Sequence, residues 1–249
     1  MSASHGFFSL GGVLAGLGSF LIGPLDNPIV HMGIAVALVL TVNLIYYRRY
    51  IGIVAAPVEK DPFSLKLFRP LLLLGLISFV AMGSEGAIVD WSGLYLKEIS
   101  RAPEALWGVG FLAFQVTMTL GRFLGDGISS KIGSIKIVGL GVVVVMIGYG
   151  LVLSTDTYLA ISGFALSGLG FSVMIPEVFR IGGNFKGIDS SQGVSFIAGT
   201  GYTGFLLAPP ILGFIADHSS LVTCFIVLFC SAFLILVATF ILQRRRSVT

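Results

Sequence analysis

Eight apolar stretches of about 17 to 27 residues follow one another along this chain, separated by short segments that carry Gly, Pro, Asn and Asp. An α-helix of about 20 apolar residues crosses the hydrocarbon core of a bilayer and satisfies its own backbone hydrogen bonds there. The sequence therefore predicts an all-α integral membrane protein with eight transmembrane helices. Their approximate bounds are Gly6–Ile22, Ile29–Tyr46, Pro70–Leu96, Leu106–Leu124, Ile135–Leu153, Leu159–Val178, Ser191–Ile215 and Leu221–Leu242.

The composition agrees with a membrane protein. Charged residues make up 11% of the chain and the mean hydropathy is +0.99, whereas a soluble protein carries about 25% charged residues. The net charge of +3 comes from basic residues scattered among the connections, which is not typical of a nucleic-acid-binding protein. Cys224 and Cys230 lie six positions apart in one apolar run and point to different faces of a helix, so we predict buried thiols, no metal site and no cofactor.

The distribution of basic residues predicts the orientation in the membrane. With a cytoplasmic N-terminus and eight alternating spans, 13 of the 15 Lys and Arg residues fall on the cytoplasmic side, all except Lys97 and Arg101. This is the bias that the positive-inside rule describes. Both termini are therefore predicted to be cytoplasmic.

The longest connection, Tyr47–Phe68, is charged and contains Pro57 and Pro62. We interpret residues 48–68 as a cytoplasmic linker between two helices (1–47) and a six-helix bundle (69–249). From the helix count alone, the bundle is expected to consist of two three-helix units related as an inverted repeat.

A carboxylate at Glu85 lies deep inside the third apolar stretch. A helical rise of 1.5 Å per residue places it roughly 22–24 Å from Arg69, still inside a hydrocarbon slab of about 30 Å. Charge at that depth faces protein or water rather than lipid. Ser78 and Ser92 share its helix face at seven-residue steps, which favours a cavity wall with Glu85 as the proton-coupling group; the alternative is a structural carboxylate in an ion pair between helices.

Further polar residues in the predicted helices or at their ends are candidates to line a solute path. They are His5, Gln115, Gln192 and Tyr202. Each also has a structural interpretation: an interfacial histidine, an amide bonded to another helix, or a buried tyrosine with a bonded hydroxyl.

Two patterns favour structural roles. The first helix presents one face of small and polar residues, which favours a packing seam over a ligand surface. That face consists of His5, Ser9, Gly12, Gly16 and Ser19. Glu177 and Arg180 are spaced for a local ion pair where the sixth helix ends at Pro176.

The segment GRFLGDGISSKIG (121–133), interpreted as a cytoplasmic loop, resembles the loop signature of the major facilitator superfamily in its copy within the C-terminal half. The residues that fit are Gly121, Arg122, Gly125, Asp126, Lys131 and Gly133. The resemblance implies that they form a conformational latch, with Arg122 and Asp126 spaced for charge pairing. Gly127 departs from the pattern, since the family usually has a basic residue there.

Three more stretches resemble the fifth, seventh and eleventh helices of bacterial facilitator proteins of the fucose-permease-like branch. They are HGFFSLGG (5–12), EGAIVDWSGLYL (85–96) and GYTGFLLAPPILGFIAD (201–217). Because such proteins have twelve helices, the resemblance implies that this chain lacks the first four.

The resemblance further implies a non-enzymatic secondary transporter of the bacterial inner membrane. It would move a small polar solute by alternating access, with membrane lipid, solute and protons as its partners. The alternative is a truncated membrane half-protein that does not transport or that requires a separate N-terminal half.

Overall fold

Helices account for most of residues 2–22, 27–51 and 65–246, which are the residues that this computed structural model describes. Within these ranges there are nine α-helices and no strand. Short 3-10 helices, Leu65–Leu71 and Glu104–Leu106, precede the third and fourth α-helices. The α-helices are α1 (Ser2–Ile22), α2 (Pro28–Tyr50), α3 (Leu72–Glu98), α4 (Val109–Ile132), α5 (Ser134–Val152), α6 (Thr157–Phe171), α7 (Met174–Gly183), α8 (Ser190–His218) and α9 (Leu221–Arg246).

The all-α membrane fold predicted from the sequence is confirmed. Six described segments are long and apolar enough to cross a membrane: Pro28–Arg49, Phe68–Glu98, Ser134–Val152, Thr157–Gly183, Ser190–His218 and Leu221–Arg244. In α1 the apolar stretch is shorter, His5–Leu21, and the second half of α4 carries Arg122, Asp126 and Lys131. The total of eight spans therefore stays a prediction.

The chain divides into two compact units. The first combines Met1–Gly16 with Leu65–Thr249, and the second is Leu17–Ser64. In the second unit, α2 begins at Asn27, whose Oδ1 accepts from the backbone N–H of Ile29 at 3.0 Å. Most of the predicted linker (52–64) lies outside the described residues, and the division into two plus six helices stays a prediction.

In the first unit, the helix contacts agree with two related three-helix groups. The most extensive contacts join α3 to α8, α5 to α6 and α4 to α6, and α9 packs against both α5 and α3. If α3 is matched with the α6–α7 pair, α4 with α8 and α5 with α9, the α3–α8 contact corresponds to the α6–α4 contact. The α3–α9 contact then corresponds to the α6–α5 contact. An inverted repeat of two three-helix units stays a prediction.

Glycine pairs bring α5 and α6 into backbone contact. A Cβ built on Gly141 would lie 2.6 Å from the carbonyl oxygen of Gly170, and one built on Gly148 would lie 2.6 Å from that of Gly163. The two pairs are separated by seven residues on each helix, so they recur on the same face. Lipid gives helices no hydrophobic reason to associate, and close contact through small residues stabilises their packing instead.

The break between α6 and α7 lies upstream of the proline that causes it. The sequence predicts that this helix ends near Pro176, but helix resumes at Met174 and continues through Pro176 to Gly183. Helix is lost instead at Ser172 and Val173. A proline cannot donate to the carbonyl four residues earlier and its ring clashes with that group; here that residue is Ser172.

Pro209 and Pro210 lie inside α8 without breaking it, and the helix is continuous from Ser190 to His218. Its apolar surroundings offer no water to replace the backbone bonds that unwinding would expose. The helix begins at Asp189, whose side chain caps the N–H groups of Ser191 and Gln192. The Ser191 hydroxyl also donates to this carboxylate and has the largest effect on its pKa. Together these hydrogen bonds hold the pKa of Asp189 below its usual value.

We predict that Gly148→Ala destabilises the bundle. The added methyl would meet the Ser167 hydroxyl at 2.5 Å and the Gly163 carbonyl at 2.6 Å, and overpacking of this kind costs about 1–3 kcal/mol. Gly150 is the matched control on the same helix, since a methyl there meets nothing within 4 Å. Thermal unfolding of both variants in detergent is the measurement. Equal midpoints for the two variants would contradict close packing of α5 on α6.

Candidate functional site

A cavity of about 430 Å³ lies within the first compact unit. Five helices contribute to its wall: α1, α3, α4, α7 and α8. The lining residues are His5, Phe8, Met82, Glu85, Arg122, Ile175, Phe179, Tyr202 and Phe205. Its volume falls in the range of small-molecule sites, about 300–1,000 Å³.

An ion pair between α3 and α4 supplies the charged part of this wall. Arg122 Nη2 lies 3.4 Å from Glu85 Oε2. The pair is unequally exposed, because 12% of the Glu85 side chain is accessible and only 3% of the Arg122 side chain. Glu85 therefore faces protein and a cavity rather than lipid, as its depth in the apolar stretch requires.

Arg122 also connects α4 to α1. Its Nη1 donates to the backbone carbonyl of His5 at 3.2 Å and to the hydroxyl of Ser9. The ion pair is thus one side of a cluster that ties three helices together. Because hydrogen bonds to a charged group are stronger than neutral ones, this cluster fixes the position of the guanidinium.

The small-residue face of α1 is a packing seam, as the sequence favours. A Cβ on Gly12 would lie 2.8 Å from the side-chain amide of Gln115, and one on Gly16 would lie 3.2 Å from the ring of Phe111. Both partners belong to α4. The seam brings His5 and Phe8 to the cavity wall.

Glu85, His5 and Tyr202 are the predicted site residues that line the cavity. The His5 ring packs against Phe179 with centroids 5.7 Å apart. Tyr202 remains 61% exposed in the described structure, so its ring is not the buried, hydrogen-bonded tyrosine of the structural interpretation.

The other predicted lining residues, Ser78, Ser92, Gln115 and Gln192, lie outside this wall. Ser78 is buried and donates to the carbonyl of Ile197 in α8 at 2.9 Å. It lies against Gly201, where α3 and α8 are in close contact. The shared face of Ser78, Glu85 and Ser92 is therefore not one continuous cavity wall, because α8 covers it at Ser78.

The remaining three residues have separate surroundings. Ser92 is fully buried in α3. Gln115 is buried against Gly12 of α1, but its side-chain Oε1 has no hydrogen-bond partner among the described residues, so the predicted bond to another helix is not seen there. Gln192 is half-buried in the first turn of α8, next to the capping Asp189.

Segment 121–133 is helical through Ile132, so its interpretation as a loop is wrong. Arg122 is buried and pairs with Glu85 rather than with Asp126, which is exposed. Side chains of a helix tilt toward its N-terminus, and Arg122 accordingly reaches away from Asp126 into the interior. Of the other residues of the signature, Gly121 and Gly125 are buried and Lys131 is exposed.

The chain turns at Gly133, between α4 and α5. Its φ of 89° and ψ of 151° define a conformation that is essentially restricted to glycine. Gly133 thus has a structural requirement of its own, independent of any role in a latch.

The local ion pair of Glu177 and Arg180 is confirmed, with Nη2 and Oε2 2.5 Å apart. The sequence did not indicate two further partners of Arg180. Its guanidinium also donates to the hydroxyls of Ser129 and, at 3.0 Å, Ser134. This cluster connects α7 to the turn between α4 and α5.

Most of the cavity wall consists of apolar and aromatic residues that sequence reasoning missed. They are Phe8, Met82, Ile175, Phe179 and Phe205. In a chain with 20 phenylalanines, none of these stands out, since an aromatic residue in a membrane helix is ordinarily a packing or lipid-facing residue. Only their proximity to Glu85 in space identifies them.

Among the known proteins that this chain resembles, two are named as transporters. The chain is 32% identical over 227 residues to an uncharacterized MFS-type transporter of Yersinia pestis, covering 90% of this chain and 59% of that protein. It is 30% identical over 178 residues to membrane protein MosC of Rhizobium meliloti, covering 71% and 44%. It is 23% identical over 248 residues to an uncharacterized transporter of Sinorhizobium fredii, covering 98% and 66%.

The chain therefore spans 44 to 66% of the length of these three relatives. No protein-family model matches it. Together with the all-α fold and the six long apolar segments, the similarity supports a multi-pass membrane protein.

We predict strong energetic coupling between Glu85 and Arg122. Arg122→Met leaves a carboxylate without its cation in an apolar interior, which lowers the free energy of unfolding by about 3–5 kcal/mol. Adding Glu85→Gln removes the unpaired charge. The double variant should therefore lose less free energy of unfolding than the two single variants lose together. Denaturant unfolding in micelles measures the cycle. Lys131→Met, exposed on the same helix, is the control, and strictly additive effects would contradict the coupling.

Proposed function

We propose that this chain acts as a secondary transporter of the major facilitator type, moving a small polar solute across the bacterial inner membrane by alternating access. The observation that carries the proposal is an ion pair of Glu85 and Arg122 on the wall of a cavity of about 430 Å³. Ionisable groups inside a membrane protein commonly mark solute and proton pathways. The similarity to an MFS-type transporter adds support.

Glu85 is the proposed proton-coupling group. A proton that enters from water in the cavity and binds the carboxylate cancels its charge and weakens its attraction to Arg122. Because Arg122 also donates to α1 at His5 and Ser9, this change would alter the connection among α1, α3 and α4. Occupancy of the cavity and the proton on Glu85 can thereby bias the same set of helices, which is the physical requirement for coupling.

Segment 121–133 is the proposed conformational latch. Gly121 lies against Ser172, at the break between α6 and α7, and Arg180 of α7 donates to Ser129 near the end of α4. Movement of α7 relative to α4 would have to break that contact. In this proposal the buried Arg122 acts at the cavity, and the more distal residues of the segment act in the latch.

The proposed orientation places both termini in the cytoplasm. It rests on the strong bias of Lys and Arg toward one set of connections. Labelling of single cysteines introduced at Arg101 and at Lys186, from each side of the membrane, would test it. In the proposed orientation Arg101 is external and Lys186 is cytoplasmic; the reverse accessibility would contradict the proposal.

We expect solute-driven proton movement that depends on Glu85. The full chain is reconstituted in vesicles containing a pH-sensitive dye, and small polar solutes are added one at a time. A transported solute should change the internal pH with the wild-type chain, and Glu85→Gln should abolish that change because an amide cannot carry the proton. Glu98→Gln is the matched control, since Glu98 is exposed at the end of the same helix.

The outcomes separate coupling from transport. If radiolabelled solute enters the vesicles equally with the wild-type chain and with Glu85→Gln, and the pH response is unchanged, proton coupling through Glu85 is wrong. If the wild-type chain moves none of the solutes, transport by this chain on its own is contradicted. Loss of the signal in Glu98→Gln as well would also count against a specific role for Glu85.

A further inference from the structure

The cavity wall is poorly suited to a ligand rich in hydroxyl groups. Five of its nine residues carry aromatic rings: His5, Phe8, Phe179, Tyr202 and Phe205. Met82 and Ile175 add apolar surface, and Glu85 and Arg122 are the two charged members. A ligand that matches this wall has an apolar body and a single charged group.

The unequal exposure of the ion pair decides the sign of that charge. The Arg122 side chain is only 3% accessible, against 12% for Glu85. Its guanidinium already donates to His5, Ser9 and Glu85. An anion would have to compete with Glu85 for a guanidinium that is almost fully covered, whereas a cation can approach the more exposed carboxylate of Glu85 directly.

Glu85 has capacity for a second donor. Among the hydrogen bonds of the described residues, Arg122 is the donor to this carboxylate, and it reaches Oε2 at a long 3.4 Å. An ionised carboxylate can accept about four hydrogen bonds through its two oxygens. A ligand ammonium can thus bind Glu85 without breaking the contact to Arg122.

Aromatic rings next to a carboxylate favour a cation further. The face of a Phe or Tyr ring carries negative electrostatic potential and attracts ammonium groups within about 6 Å, most strongly where water is excluded. Phe179 and Phe205 supply such rings from α7 and α8, and Tyr202 supplies a third. The carboxylate and the rings together form a site for a positively charged nitrogen with apolar substituents.

We propose that this cavity binds organic monocations, protonated amines or quaternary ammonium compounds with an apolar body. The inference rests on the proposed function only in taking this cavity as the solute site. It narrows the small polar solute of that proposal to a class of amphipathic cations, in which the ammonium binds at Glu85 and the apolar body packs among the rings.

Three probes of one shape test the sign of the charge. Benzyltrimethylammonium is the cation, neopentylbenzene is its neutral isostere, and phenylmethanesulfonate is an anion of similar size. Binding to the purified full chain is measured by calorimetry, with empty micelles subtracted. We expect the cation to bind at least about tenfold more tightly than either of the other probes.

Variants locate the binding. Glu85→Gln should weaken cation binding by about tenfold or more, because the attracting charge is lost. Phe179→Leu should weaken it several-fold through loss of a ring, which keeps the test decisive if Glu85→Gln fails to fold. Glu98→Gln, exposed on the same helix as Glu85, should bind like the wild-type chain.

This measurement reads binding without transport, so it can fail independently of the proposed function. Tighter binding of the anion, or equal binding of all three probes, would overturn the cation inference and leave transport of another solute untouched. Failure of the wild-type chain to bind the cation would also overturn it. Cation binding that requires Glu85 would support it, even if the vesicle experiment contradicts transport.

Discussion

The structure around the cavity depends on one constraint: a carboxylate inside an apolar bundle needs an opposite charge close to it. Removing an ion from water costs several kcal/mol even after the protein relaxes, and a well-placed partner with further hydrogen bonds offsets that cost. Arg122 is that partner, and its contacts with Ser9 and the His5 carbonyl hold it in place. Three helices are thereby connected through one guanidinium group.

Close helix contacts lie next to the cavity. Glycines join α5 to α6 and, through Gly201 and Gly204, α3 to α8. The cavity lies among α1, α3, α4, α7 and α8. Because α3 and α8 take part in both, the glycine contacts between them help to position the side chains that these two helices present to the cavity.

Local features of the sequence predicted the fold well. The predicted apolar stretches coincide with observed helices, because hydrophobic patterning acts within a single segment of the chain. Glu85 could be identified as a site candidate from its depth alone. The sequence could not identify Arg122 as the partner of Glu85, since the two residues are 37 positions apart. The facilitator-like signature instead predicted that Arg122 pairs with Asp126. The face shared by Ser78 and Ser92 was misleading because helix periodicity does not say which neighbouring helix covers it.

The interruption at Ser172 and Val173 has a mechanical consequence. Before the interruption, glycines bring the backbone of α6 into close contact with α5. After it, α7 carries Ile175 and Phe179 of the cavity wall. A continuous helix would carry any tilt of α6 along its whole length. With the interruption at Ser172 and Val173, α7 could change its direction relative to α6, and such a change would have to break the contacts of Arg180 with Ser129 and Ser134.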